Sequence, residues 1–196
     1  MDVLHFGSAS PAWPGRLNLA TPEQREQIER MKITSLEAIF RALQQAQARY
    51  LVVGGVAVLA YGYARFTEDL DLVLDLSPDS LQRALAALES LGYRPIIPVT
   101  IRDFADPELR RDWTENRNMK VFSLVSDQHP EVTIDIFTKV PFAFDEEYAR
   151  SEMREVASNI TAFVVSLPGL IALKVEADRN KDRDDVEKLR KLHPKS

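Results

Sequence analysis

Apolar positions along this chain follow two different periods. Over "TPEQREQIERMKITSLEAIFRALQQAQARY", Ile28, Met31, Leu36, Ile39, Phe40 and Leu43 recur at helical spacing. Thr21 is placed as the cap, Pro22 as the first helical residue, and Glu23 and Glu26 in the first turn, with a break expected near Ile33–Thr34. "YLVV" then reads as a short buried strand, Gly54–Gly55 as a turn, and "VAVLAY" as a short helix closed by Gly62. "DLDLVLD" switches to period two and predicts a second strand.

Further along, "SPDSLQRALAALESLG" predicts a helix with Ser77 as cap, Pro78 at its first position and Gly92 as terminator. "YRPIIPV" suits only an edge strand, because Pro95 and Pro98 cannot donate to a ladder. Residues 101–118 are polar and show no clear period. "MKVFSLV" and "EVTIDIF" predict a hairpin joined over Ser126–Pro130. "DEEYAR" follows as a short helix, "TAFVVS" as a strand, and "LPGLIALKVEAD" and "DRDDVEKLRKL" as two closing helices. The expected class is α/β (α+β): a small mixed sheet with helices packed on it and a C-terminal helical pair. Residues 1–20, broken by Pro11 and Pro14, are expected to form an irregular arm, and residues 21–196 a single domain.

Composition narrows this picture. The 196 residues suffice for a sizeable core without cross-links. With no cysteine, disulfides, a cysteine nucleophile and thiolate zinc sites are excluded, and a cytoplasmic location is expected. A net charge of -5 argues against broad, charge-driven nucleic-acid binding. Neither a signal peptide nor an apolar run of membrane-spanning length is evident, so no membrane partner is expected.

The acidic strand changes the picture most. Leu70, Leu72 and Leu74 share one face; Asp69, Asp71, Val73 and Asp75 share the other. Aspartate is a poor strand former, so three at alternate positions is unusual. Asp69 and Asp71 would lie about 7 Å apart on one face. In "EVTIDIF", Val132, Ile134 and Ile136 face one way, and Thr133, Asp135 and Phe137 the other. If the two strands are neighbours, Asp135 joins the pair, and three close carboxylates repel unless a hard cation such as Mg²⁺ joins them. The plain alternative is a wet strand face. The Gly54–Gly55 pair after a buried strand suits close approach of backbone N–H groups to a phosphate, or simply a tight turn.

Taken together, "GGVAVLAYGYARFTEDLDLVLD", "VTIDIF" and "LPGLIALKVEADRNKDRDDVEKL" resemble the nucleotidyltransferase superfamily, closest to the minimal bacterial branch with AbiEii/AbiGii-type toxins. The resemblance spans about residues 50–192, with a gap after Val99. It implies transfer of an NMP from an NTP, ATP among them, to an acceptor hydroxyl on RNA, tRNA or protein, within a toxin–antitoxin pair that includes an antitoxin protein. It also implies Mg²⁺ or Mn²⁺ on Asp69, Asp71 and Asp135, with Asp135 as the base, and Gly54 and Gly55 near the phosphates. Arg65 matches an Arg of the pattern, with phosphate binding and a surface ion pair both open. Thr67 orders the turn or touches nucleotide. Lys174 either reaches the triphosphate or snorkels. Arg179, Lys181, Asp182 and Asp185 suit a salt-bridged turn between the closing helices. The family's usual Gly-Ser is Gly-Gly here, and no large C-terminal acceptor domain is expected.

Two other readings compete. A non-catalytic nucleotide-binding or interaction module of the same fold would keep the motifs without turnover. "DLDLVLD" also fits a haloacid dehalogenase-type phosphatase, but the aspartates there end an apolar strand, whereas here they begin one. His5, His129 and His193 form no ligand spacing. Trp113 with Arg110, Arg111, Arg117 and Lys120 suits either a basic–aromatic patch or, preferred, a mobile loop capped by one Trp.

Overall fold

A computed structural model of the chain describes residues 22–65, 67 and 69–194. The expected arm over residues 1–20 and the cap Thr21 lie outside the described residues. Helix α1 (Pro22–Gln45) runs without the expected break, followed by β1 (Tyr50–Val52), α2 (Gly54–Ala60), β2 (Asp69–Leu74) and α3 (Pro78–Ser90). Next come β3 (Arg94–Pro95), a 3₁₀ turn (Ile101–Ala105), α4 (Pro107–Glu115), β4 (Val121–Val125) and β5 (Thr133–Phe137). The chain closes with α5 (Phe144–Arg150), β6 (Glu152–Ala157), β7 (Ile160–Val164), α6 (Leu167–Ala177) and α7 (Asn180–Leu192).

All seven strands join one mixed sheet in the order β3-β4-β5-β2-β1-β7-β6. β2 pairs parallel with β5, β1 parallel with β7, and the remaining pairs are antiparallel. Leu70, Leu72, Leu74, Ile134, Ile136, Phe122 and Leu124 are all buried, as period two requires. Tyr50, the register partner of Leu74, stacks on Phe40 of α1, so α1 covers this face. The opposite face is closed unevenly. β4 and β5 alternate buried and half-buried positions, so their second face is left partly open to solvent.

Three segments differ from expectation. Residues 101–118 are not a loop. Thr100 and Asp103 form a reciprocal capping box for the 3₁₀ turn, and Asp106 caps α4. Trp113 is 2% exposed and stacks on Phe122 with centroids 5.3 Å apart, and Arg110 is buried against the Phe104 carbonyl. Arg111 pairs with Glu108 and Arg117 with Asp112, so neither the basic–aromatic patch nor the loop capped by one Trp is present. β6 is a charged edge strand that period two did not reveal. Finally, Ser77 makes no side-chain cap; Asp75 accepts from the Ser77 N–H at 2.9 Å instead, and pairs with Arg49 at 3.1 Å.

Candidate active site

β2 and β5 lie side by side with Asp71 and Asp135 as direct register partners. Asp69, two residues earlier on β2, projects from the same face. The sheet therefore gathers the three aspartates the sequence singled out. Asp75 is not one of them, because its ion pair with Arg49 commits it to the far end of the strand. The row continues one strand further: Ser123 on β4 is the register partner of Asp135 and donates its hydroxyl to Asp135 Oδ1 at 2.6 Å. Sequence reading missed Ser123. The period-two alternation of "VFSLV" beside "TIDIF" was the available signal.

Burial and mutual repulsion act on these carboxyls. Burial, then the charge of Asp135, raises the Asp71 carboxyl to about 6, against the Gly55 N–H, which holds it down. Asp135 is raised by burial and by Asp69, with the Ser123 hydrogen bond opposing. Among the described residues no group of three or more acidic or histidine side chains is closed tightly enough to hold a metal ion as it stands.

The Gly54–Gly55 turn packs against this row rather than lying open. Val53, extended, donates its N–H to the Asp71 carbonyl at 3.0 Å and leads into α2. Gly54 has φ +64°, and a Cβ there would stand 1.8 Å from Asp71 Oδ2. The Gly55 N–H donates to that same oxygen at 3.4 Å. A Cβ on Gly55 would meet Thr67 Oγ1 at 2.4 Å and Arg65 Nη2 at 2.7 Å. Thr67 itself donates to the Asp69 carbonyl at 3.3 Å, and its own carbonyl accepts from Lys32 of α1. Thr67 thus orders the turn.

Arg65 and Lys174 belong to one buried charge network. Arg65 Nη1 pairs with Asp185 at 2.9 Å; Lys174 Nζ pairs with Asp185 at 2.7 Å and Asp182 at 2.9 Å; Arg179 pairs with Asp182 at 2.5 Å. Lys174 is 4% exposed, so it does not snorkel to solvent. The salt-bridged turn expected between the closing helices is present, with Asp178 in the left-handed conformation at the end of α6. The network lies close enough that Lys174 lowers the Asp71 carboxyl and Asp71 raises Arg179.

The sheet order, with a strand–Gly-Gly–helix turn beside an acidic row, goes with a sequence that a nucleotidyltransferase family model matches. The chain belongs to the family of AbiEii nucleotidyl transferase toxins of type IV toxin–antitoxin systems, which matches residues 37–187. Two solved structures are similar. The lincomycin-bound crystal structure of the lincosamide antibiotic adenylyltransferase LnuA matches with a TM-score of 0.53 at 15% identity, over 81% of this chain and 96% of that one. At that identity the likeness is one of fold. The crystal structure of JHP933 from Helicobacter pylori matches with a TM-score of 0.46 at 16% identity, over 89% of this chain and 69% of that one. No protein of curated function matches the sequence. Among the described residues no helix is long and apolar enough to cross a membrane.

Proposed function

We propose that this protein is a Mg²⁺- or Mn²⁺-dependent nucleotidyltransferase that moves an NMP from an NTP to a hydroxyl of RNA or protein, as the toxin of a toxin–antitoxin pair acting in the cytoplasm. The observation that carries the reading is the register of Asp71 with Asp135, with Asp69 on the same face. Two half-buried carboxyls, Asp71 held protonated more tightly by burial and Asp135, and Asp135 by burial and Asp69, form a negative site in want of a positive partner. An all-oxygen donor set of this kind fits a hard divalent cation.

Asp69, Asp71 and Asp135 are the residues that would hold it. When bound, such a cation neutralises charge on the transferring phosphoryl group. Asp135 takes the proton of the acceptor hydroxyl. A bond forms between that oxygen and the α-phosphorus, the bond to the bridging oxygen breaks, and pyrophosphate leaves. Gly54, Gly55 and Thr67 shape the turn that borders the nucleotide. Arg65 and Lys174 act from inside their ion pairs, placing positive charge behind the phosphate side rather than donating from free side chains. The half-open face of β4 and β5 gives the acceptor its approach.

The test is incubation of the protein with each labelled NTP and Mg²⁺ in the presence of total RNA and total protein, beside Asp135→Asn. Label should enter one acceptor pool. Asp135→Asn should keep NTP binding and lower transfer by about 10²-fold or more, the scale of losing a positioned proton acceptor. Equal transfer by parent and variant overturns the assignment.

A further inference from the structure

We infer that Ser123 is a positioning residue for Asp135, fixing which carboxylate oxygen is offered to the cation and acceptor; the inference rests on the function proposed above. Ser123, Asp135 and Asp71 form one row across three neighbouring strands, β4, β5 and β2. Register partners on adjacent strands project from the same face, about 4.5–5.5 Å apart at their Cβ atoms. The hydroxyl of Ser123 thus lies on the side of Asp135 away from Asp71.

An aspartate on a strand has two torsions to settle, and its terminal torsion is broad. Burial alone does not choose between its oxygens. The 2.6 Å bond from Ser123 Oγ to Oδ1 does, since a hydroxyl-to-carboxylate bond of that length is a strong, charge-assisted one. With Oδ1 held toward β4, Oδ2 is the oxygen left for the site. Phe122 and Leu124, on either side of Ser123, are buried on the opposite face, so the strand cannot turn to release the hydroxyl without exposing both. Serine is otherwise a poor choice here: valine or threonine suits a strand better.

Ligand geometry must be held within about half an ångström for such a site to work, and a partner that orients a ligand commonly changes metal affinity by about 10–100-fold. The experiment is Mn²⁺ binding without nucleotide, by calorimetry, on the parent, Ser123→Ala, Ser123→Thr and Asp135→Asn, with a thermal melt of each. Asp135→Asn should lose most of the affinity. Ser123→Ala should lose about tenfold while melting near the parent, and Ser123→Thr, which restores the hydroxyl, should recover most of it. Parent-like affinity in Ser123→Ala beside a weakened Asp135→Asn overturns the positioning role and leaves the proposed function standing. Ser123→Thr as weak as Ser123→Ala also overturns it, because the loss then follows packing and not the hydroxyl. A parent that binds no Mn²⁺ overturns the proposed function and this inference with it; an Asp135→Asn that binds like the parent overturns this inference and leaves Asp69 and Asp71 to hold the cation.

Discussion

The carboxylate of Asp71 occupies the space that a side chain at Gly54 would need, 1.8 Å from where its Cβ would stand. The turn and the acidic row are therefore one packed unit, and Gly54 cannot gain a side chain while Asp71 stays where it is.

Gly54→Ala should be costly for two separable reasons. A non-glycine residue at φ +64° costs roughly 1–2 kcal/mol, and the new methyl must push Asp71 aside. We predict a lower melting temperature and weaker Mn²⁺ binding. In Gly54→Ala/Asp71→Ala the two worst contacts are removed but the Asp71 Cβ still lies 2.8 Å from the new methyl, so the melt should recover only in part while binding stays lost. Denaturant titration of the parent, Gly54→Ala, Asp71→Ala and the double variant checks this; strictly additive losses would count against the contact.

Asp71→Asn should stabilise the metal-free protein at neutral pH. The folded carboxyl, at about 6, lies above its unfolded value of 3.8, so folding favours the protonated form. Stability from this group is complete below about pH 4 and is lost as pH rises through about 6. The deficit above that is at most about 3 kcal/mol, at 1.36 kcal/mol per pH unit. Melts of parent and variant at pH 5 and pH 7.5, in chelator, should diverge with pH. Added Mg²⁺ should raise the parent's melt and not the variant's.

Lys174→Met should destabilise strongly, by about 3–5 kcal/mol, because it removes the buried ammonium that Asp182 and Asp185 share and leaves each carboxylate only its arginine. NTP affinity of Lys174→Met, measured at a temperature where its melt shows it folded, then reports on Lys174 itself. A loss there marks electrostatic support of the phosphates; parent-like affinity marks a structural lysine.

Trp113→Ala should cost about 3–5 kcal/mol, as removal of a buried, stacked aromatic does, and leave Mn²⁺ binding by the folded protein intact. A fall in acceptor affinity without a fall in stability would instead place Trp113 at a binding surface.

Much of this arrangement was legible in the chain. The alternation of Leu70, Leu72 and Leu74 with Asp69 and Asp71 fixes which side of β2 packs, and the same period in β5 puts Asp135 on the matching side. Strand adjacency was not legible from spacing, since β2 and β5 are separated by α3, β3, α4 and β4. α4 escaped notice because it buries Arg110 and Trp113 rather than an aliphatic stripe. β6 escaped because an edge strand carries charges at positions that would otherwise alternate. The paired glycines of the sequence suit either an approach to phosphate or a tight turn. That Asp71, Thr67 and Arg65 fill the space above them is a tertiary fact, with no trace in the local sequence.

The tether between Arg65 and Asp185 joins residues 120 positions apart. A chain still being synthesised at residue 150 already carries Asp69, Asp71 and Asp135 but lacks α6 and α7, and with them every carboxylate that pairs with Arg65 and Lys174. The ribosome thus delivers the chemical groups early and their support last.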